Sequence, residues 1–135
     1  MFTNLDTRVI ENGKKRLLLA DYTYENDKYI ITLKPGFVTD GASIPKAFWS
    51  ILSSPFDGAL VYGAMIHDGL YTKMTLPRKE CDKLLKEMAL EKGYNKIKAF
   101  LVYYAVRLFG GSHWKKDTRA ETHLITIKRK SNNEN

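Results

Sequence analysis

The stretch from Ala59 to Lys73 reads Ala-Leu-Val-Tyr-Gly-Ala-Met-Ile-His-Asp-Gly-Leu-Tyr-Thr-Lys. Its apolar side chains fall on nearly every side of a helix, so the pattern predicts a helix buried at the centre of the fold. His67 and Asp68 interrupt this apolar run, and both are costly to bury unless they are paired or ligated. Tyr71 follows His67 by one turn and shares its face. The stretch therefore predicts the core and also holds the main candidates for chemistry.

A third polar residue, Asp82, lies beside the apolar stripe of the next predicted helix, which we expect over about residues 76–92. The loop between the two helices is short, which makes them antiparallel neighbours. His67 and Asp82 each lie about two turns from that loop, so we expect them to meet. A His–Asp pair is the minimum for a general base with a fixed tautomer. The alternative is a structural role, in which His67 bonds a carbonyl and Asp68 caps or pairs with an arginine such as Arg78 or Arg107.

The first third of the chain has the pattern of β-strands. We expect strands over 16–24 and 28–33, joined as a hairpin by a turn at 25–27, and a third short strand over 37–39. The segment 123–127 alternates weakly and is predicted as a strand or as extended chain. Pro45 suits the first turn of a short helix.

A last long helix is predicted from residue 94 or 95 to Phe109, with an apolar stripe for packing at Ile97, Leu101, Tyr104 and Leu108. The fold class is therefore α+β: a small antiparallel β-sheet from the N-terminal third, packed on three to four α-helices.

The chain has 135 residues, of which 44% are hydrophobic and 27% charged. These values are near the globular norm and exclude a disordered chain. We expect one domain over 1–130 and a disordered tail over 131–135. The single cysteine excludes an internal disulfide and a Cys-rich zinc site. No signal peptide or transmembrane segment is predicted, because the N-terminus lacks a basic region followed by an apolar run and the longest apolar stretch, 99–109, is short.

The loop Thr39-Asp40-Gly41-Ala42-Ser43 is a further candidate for function. In one interpretation Asp40 is a metal ligand or an orienting acid beside His67, with Thr39 and Ser43 as neighbouring site residues. In the other interpretation the loop is a well-capped turn, in which Asp40 and Ser43 bond backbone N–H groups. Ser43 lacks the Gly-x-Ser-x-Gly surroundings that mark a hydrolase nucleophile.

The order of these motifs resembles a known family. The motifs are residues 35–45 (Pro-Gly-Phe-Val-Thr-Asp-Gly-Ala-Ser-Ile-Pro), Trp49, residues 67–71, residues 78–82 and residues 104–110. Together they are similar to the family catalogued as domain of unknown function thirteen fifty-three, over roughly Leu18 to Gly111. That family occurs mainly in tailed bacteriophages and prophages, so the resemblance implies a phage origin and a place in the host cytoplasm or the virion. It implies no reaction, because the activity of the family is not established.

A shorter resemblance does imply a reaction. His67-Asp68-x-x-Tyr71, followed by Asp82 on an antiparallel helix, is similar to the core of secreted and prokaryotic phospholipases A2. The resemblance implies that His67 activates a water, that Asp82 orients His67 and that Tyr71 bonds Asp82. It also implies that Asp68 binds a divalent cation, most naturally calcium, for which Asp40 is a further candidate ligand.

Three functions follow from these patterns. The first is a metal-assisted hydrolase that acts on an anionic lipid or another phosphoester through the His–Asp dyad. The second is a non-catalytic phage protein, tail-associated or bound to a host or virion protein, in which the same residues form a structural polar network. The formal net charge of +7 also leaves nucleic acid as a partner, although no nucleic-acid-binding motif accompanies that charge.

Overall fold

Two three-stranded antiparallel sheets form the β part of the fold, in a computed structural model that describes residues 1–41, 44–52, 58–114 and 120–131. The strands are β1 (Thr7–Ile10), β2 (Lys15–Leu18), β3 (Tyr22–Glu25), β4 (Tyr29–Leu33), β5 (Val38–Thr39) and β6 (Ile125–Arg129). The first sheet has the order β1-β2-β5, and the second has the order β3-β4-β6. The C-terminal segment, predicted as a strand or extended chain, thus completes a sheet beside β4.

The predicted single strand over 16–24 is wrong, because the chain changes sheets within it. Leu18 and Tyr22 are both buried, but in different sheets. The residues between them face solvent, with Leu19 39% exposed, where a continuous strand would alternate. The predicted hairpin of β3 and β4 is confirmed, with Tyr22 opposite Leu33. Strand β1 was not predicted from the sequence.

Five α-helices account for most of the remaining described chain. They are α1 (Trp49–Leu52), α2 (Leu60–Lys73), α3 (Arg78–Glu91), α4 (Lys96–Phe109) and α5 (Gly111–Trp114). Short 3-10 turns occur at Glu11–Gly13, Lys46–Phe48 and Ala120–Leu124. The α+β class predicted from the sequence is confirmed. Within the described residues, no helix is both long enough and apolar enough to cross a membrane.

Helix α2 lies at the centre, as its apolar pattern predicted. Its buried side chains pack with those of α3 on one side and β4 on the other. Gly69 marks the contact with the sheet, because a Cβ atom built there would lie 2.5 Å from Cδ2 of Leu33. Gly63 marks the contact with α3, because a Cβ atom built there would lie 2.9 Å from Cβ of Met88. The two glycines allow α2 to sit close to both neighbours.

The packing face predicted for α4 is wrong. Small side chains bury the opposite face against α3, namely Ala99, Val102, Ala105 and Val106. The predicted stripe faces solvent, with exposures of 72% for Ile97, 45% for Leu101, 56% for Tyr104 and 75% for Leu108. Both sides of α4 are apolar, so periodicity alone did not decide between them. The side with small residues packs because it allows the helices to approach closely.

We expect Gly69→Ala to lower the free energy of unfolding. The added methyl group meets Leu33, which is fully buried, and overpacking of this kind costs about 1–3 kcal/mol. That cost outweighs the gain in helix propensity of about 1 kcal/mol. Urea denaturation measures the change, with Gly111→Ala as the matched control because a Cβ there meets no atom within 4 Å. An unchanged urea midpoint for Gly69→Ala would contradict the close contact of α2 with β4.

Candidate active site

His67 and Asp82 meet between α2 and α3, at the height that the short connection predicts. His67 Nε2 lies 2.8 Å from Asp82 Oδ1, which is a well-formed hydrogen bond. The two side chains are 1% and 0% exposed. An ionised carboxylate only accepts hydrogen bonds, so a neutral His67 paired with it carries its proton on Nε2. The lone pair of the neutral ring is then on Nδ1.

Three more side chains surround the carboxylate of Asp82. Tyr71 donates from its hydroxyl to Oδ1 at 2.6 Å, and its ring lies beside that of His67, with centroids 4.3 Å apart. Arg107, on α4, donates from Nη1 to Oδ2 at 2.8 Å. Arg78, one turn before Asp82, lies 3.8 Å from the same oxygen. One buried carboxylate thus joins α2, α3 and α4.

The guanidinium of Arg78 fixes the end of α4 in the same network. Its Nη1 donates to the carbonyl of Val106 at 3.0 Å and to the hydroxyl of Tyr71 at 3.2 Å. Its Nη2 donates to the carbonyl of Arg107 at 3.0 Å. Both carbonyls belong to the last turn of the helix, and that of Val106 also accepts the backbone N–H of Gly110 at 2.8 Å. Arg78 therefore stabilises α4 at the point from which Arg107 reaches Asp82.

The electrostatics of the network keep Asp82 ionised. Burial alone raises the pKa of this carboxyl, but the hydrogen bonds from His67, Tyr71 and Arg107 outweigh burial and leave the pKa below its usual value. Burial, followed by the bond to Asp82, raises the pKa of the Tyr71 hydroxyl. Tyr71 is therefore a hydrogen-bond donor at neutral pH, and Asp82 is the negative centre of the site.

Asp68 and Thr39 are buried, whereas Asp40 is exposed. Asp68 is 7% exposed, and its backbone carbonyl accepts a hydrogen bond from Thr72 Oγ1 at 3.0 Å. Thr39 is 3% exposed and accepts a hydrogen bond from the backbone of Gly41 at 3.2 Å, as a capped turn would. Asp40 lines a groove of about 440 Å³ with Glu11, Lys15 and Glu121. The predicted site residue Ser43 lies outside the described residues.

The described carboxylates do not by themselves build a metal site. In the ranges that the structure describes, no three His, Cys, Asp or Glu side chains are grouped so that they could hold an ion. Calcium takes six to eight oxygen ligands. The donors that can be described here thus do not fit calcium, and its ligation by Asp68 and Asp40 remains a prediction.

The sequence did not predict the part that the two arginines play at Asp82. The sequence does contain features that point to both arginines. Arg107 is the one charged residue in the apolar stretch 99–109, and Arg78 precedes Asp82 by four residues, which is one helical turn. Gly110 is a further site residue that was missed. A Cβ atom there would lie 2.5 Å from the carbonyl of Val106 and 2.8 Å from the hydroxyl of Tyr71. A glycine is thus needed where α4 meets the polar network.

Comparison with known proteins supports the resemblance drawn from the motifs. The family model described as "Protein of unknown function (DUF1353)" matches residues 17–106, which include His67, Tyr71 and Asp82. No solved structure is significantly similar to the chain.

Two curated proteins from Sinorhizobium fredii are similar in sequence, and both are described as uncharacterized. Protein y4jT is 29% identical over 108 residues, which cover 79% of this chain and 32% of that protein. Protein y4iH is 36% identical over 72 residues, which cover 53% of this chain and 30% of that protein. The chain therefore spans about a third of the length of these relatives.

Proposed function

We propose that this chain, which belongs to the DUF1353 family of proteins of unknown function, is a hydrolase whose general base is His67. The observation that carries the proposal is the 2.8 Å bond from His67 Nε2 to a buried carboxylate that three further side chains surround. A histidine held in one tautomer by a carboxylate is the arrangement that general-base catalysis requires. In keeping with the resemblance to phage proteins, we place this hydrolase in a phage or prophage context.

In the proposed reaction, Nδ1 of neutral His67 takes a proton from a water molecule. The resulting hydroxide adds to the carbonyl carbon of an ester, or to phosphorus in a phosphoester, and the bond to the leaving oxygen breaks. His67 returns the proton from Nδ1 to that leaving oxygen. Asp82 stays ionised throughout and stabilises the transient imidazolium, while Tyr71 and Arg107 hold Asp82 in place.

The proposed reaction requires that a substrate reach Nδ1 of His67. The ring of His67 is 1% exposed, so a substrate reaches Nδ1 only when the side chains around the ring move. Such opening is common where catalysis includes a closing step that excludes water. The described donors do not fit a cation, so residues of the chain itself carry each step of the proposed reaction.

The second candidate is a non-catalytic phage protein that binds a host or virion protein. It is favoured by the same burial, since Asp82 is 0% exposed and links three helices. In that case the network fixes the fold and catalyses nothing.

A substrate screen tests the proposed hydrolysis. We expect the wild-type protein to cleave at least one class among carboxylic esters, phosphomonoesters, phosphodiesters and phospholipids. The screen is run with calcium and with a chelator, on wild type and Asp68→Asn. A rate that calcium raises only in wild type would support Asp68 as a ligand. No cleavage of any class at any pH, in either condition, would contradict the hydrolase.

A further inference from the structure

The outer side of α4 is an apolar surface that the described fold leaves uncovered. The residues of this outer face recur at the spacing of one helical stripe, and they are Ile97, Phe100, Leu101, Tyr104 and Leu108, each at least 45% exposed. Most soluble proteins scatter exposed apolar residues singly, whereas a contiguous apolar patch marks an interaction site. We therefore expect the outer face to bind an apolar partner.

A shallow groove continues the outer face toward α1. The groove has a volume of about 250 Å³ and an almost wholly apolar lining, with Phe48, Ile51 and Leu52 on one side and Leu108 and Phe109 on the other. Ile51 is 56% exposed and Phe109 is 49% exposed, so the groove is open to solvent. The apolar surface thus spans two separate segments of the chain.

The charged side chains of α4 are all basic. No acidic residue occurs between Lys92 and Lys116, and Lys96 and Lys98 on α4 are exposed. The ammonium group of Lys86, on α3, lies 4.4 Å from the ring centroid of Phe100 at the edge of the outer face. Of the four acidic residues of α3, Asp82 is buried, and the other three line a different groove with Met1, namely Glu80, Glu87 and Glu91.

We propose that the outer face of α4 binds the surface of an anionic lipid bilayer. A helix that presents apolar and aromatic residues with lysines beside them inserts that face into the headgroup region in this way. Helix α4 has 14 residues and is about 21 Å long, so it lies along the surface rather than across the bilayer. This inference concerns binding and does not depend on the proposed hydrolysis.

The lysines beside the outer face favour an anionic lipid surface over a second copy of the chain as the partner. Two copies joined through this face would bring the lysines of one, Lys86, Lys96 and Lys98, against the equally basic α4 of the other, which has no acidic residue to offset them. An anionic lipid surface offers the complementary charge and the apolar interior together.

Sedimentation with vesicles tests the inference. The vesicles contain equal parts of diether phosphatidylcholine and diether phosphatidylglycerol, which ester hydrolysis cannot cleave, and the reference vesicles contain phosphatidylcholine alone. The test variant is Ile97→Gln/Leu108→Gln, since both side chains are more than 70% exposed and their loss leaves the core intact. The control is Val9→Gln, which removes a 53% exposed apolar residue from β1.

We expect wild type and Val9→Gln to bind the anionic vesicles equally, and more weakly as salt is added. The double variant is expected to bind about tenfold more weakly or worse, because burial of one leucine alone is worth about that factor. Circular dichroism checks that both variants fold. Three results would each overturn the inference. They are no binding by wild type, equal binding by the double variant, or a dimer that wild type and Val9→Gln form and the double variant does not.

Discussion

Replacement of Asp82 by alanine is expected to lower the free energy of unfolding by about 3 kcal/mol. Removal of one partner from a buried ionic network costs about 3–5 kcal/mol, because the remaining groups stay buried without their counter-charge. We expect the low end of this range, since the side chain of Arg107 is 28% exposed and can regain water. His67 and the Tyr71 hydroxyl cannot regain water in this way, because both residues are nearly fully buried. Urea denaturation at neutral pH measures the loss.

The pH dependence of that loss tests its electrostatic origin. The pKa of Asp82 is lower in the folded protein than the ordinary value of 3.8, so its stabilisation is present above about pH 4 and disappears as pH falls through the folded pKa. The difference between wild type and Asp82→Ala should therefore narrow in acid. Asp27→Ala, at an exposed position, is the matched control and should behave as wild type. A loss below about 1 kcal/mol, or one that is equal at all pH values, would contradict the buried ionic network.

The meeting of His67 and Asp82 was predictable because it depends on local geometry. Two helices joined by the short segment 74–77 run antiparallel, and residues at equal distances from the turn lie at equal heights. The arrival of Arg107 at the same carboxylate was not predictable in this way. It depends on how α4 docks, and the sequence between 92 and 95 does not fix that docking.

Helix α4 shows most clearly that apolar periodicity does not predict which face of a helix packs on the core. Its stripe of large residues, including Ile97 and Leu108, has the spacing of a core face, yet it lies outside. Periodicity identifies an apolar face but does not say whether the partner is the core of the protein or something else. The same ambiguity misled the prediction for 16–24, where an apolar run passes from one sheet into another. In both places the missing information was a long-range contact.

His67→Gln is expected to reduce the rate of the proposed hydrolysis by about 10²–10⁴-fold, which is the usual contribution of a general base. The glutamine amide keeps an N–H donor for Asp82, so the polar network and the fold should survive. It has no basic nitrogen, so proton abstraction from water is lost. The kcat/KM of both proteins is measured on the substrate class that the screen identifies, and urea denaturation is run on the same samples.

Tyr71→Phe is the matched control for this change, because it removes a hydrogen bond to Asp82 and leaves the base intact. A base at His67 predicts that Tyr71→Phe retains most of the activity, while His67→Gln loses most of it. If the network is purely structural and an observed activity arises elsewhere in the protein, activity follows stability in every variant, and Tyr71→Phe then loses no less of it than His67→Gln. Equal kcat/KM values for His67→Gln and wild type would remove His67 from the mechanism. The comparison of rate with stability therefore separates the hydrolase from the structural network.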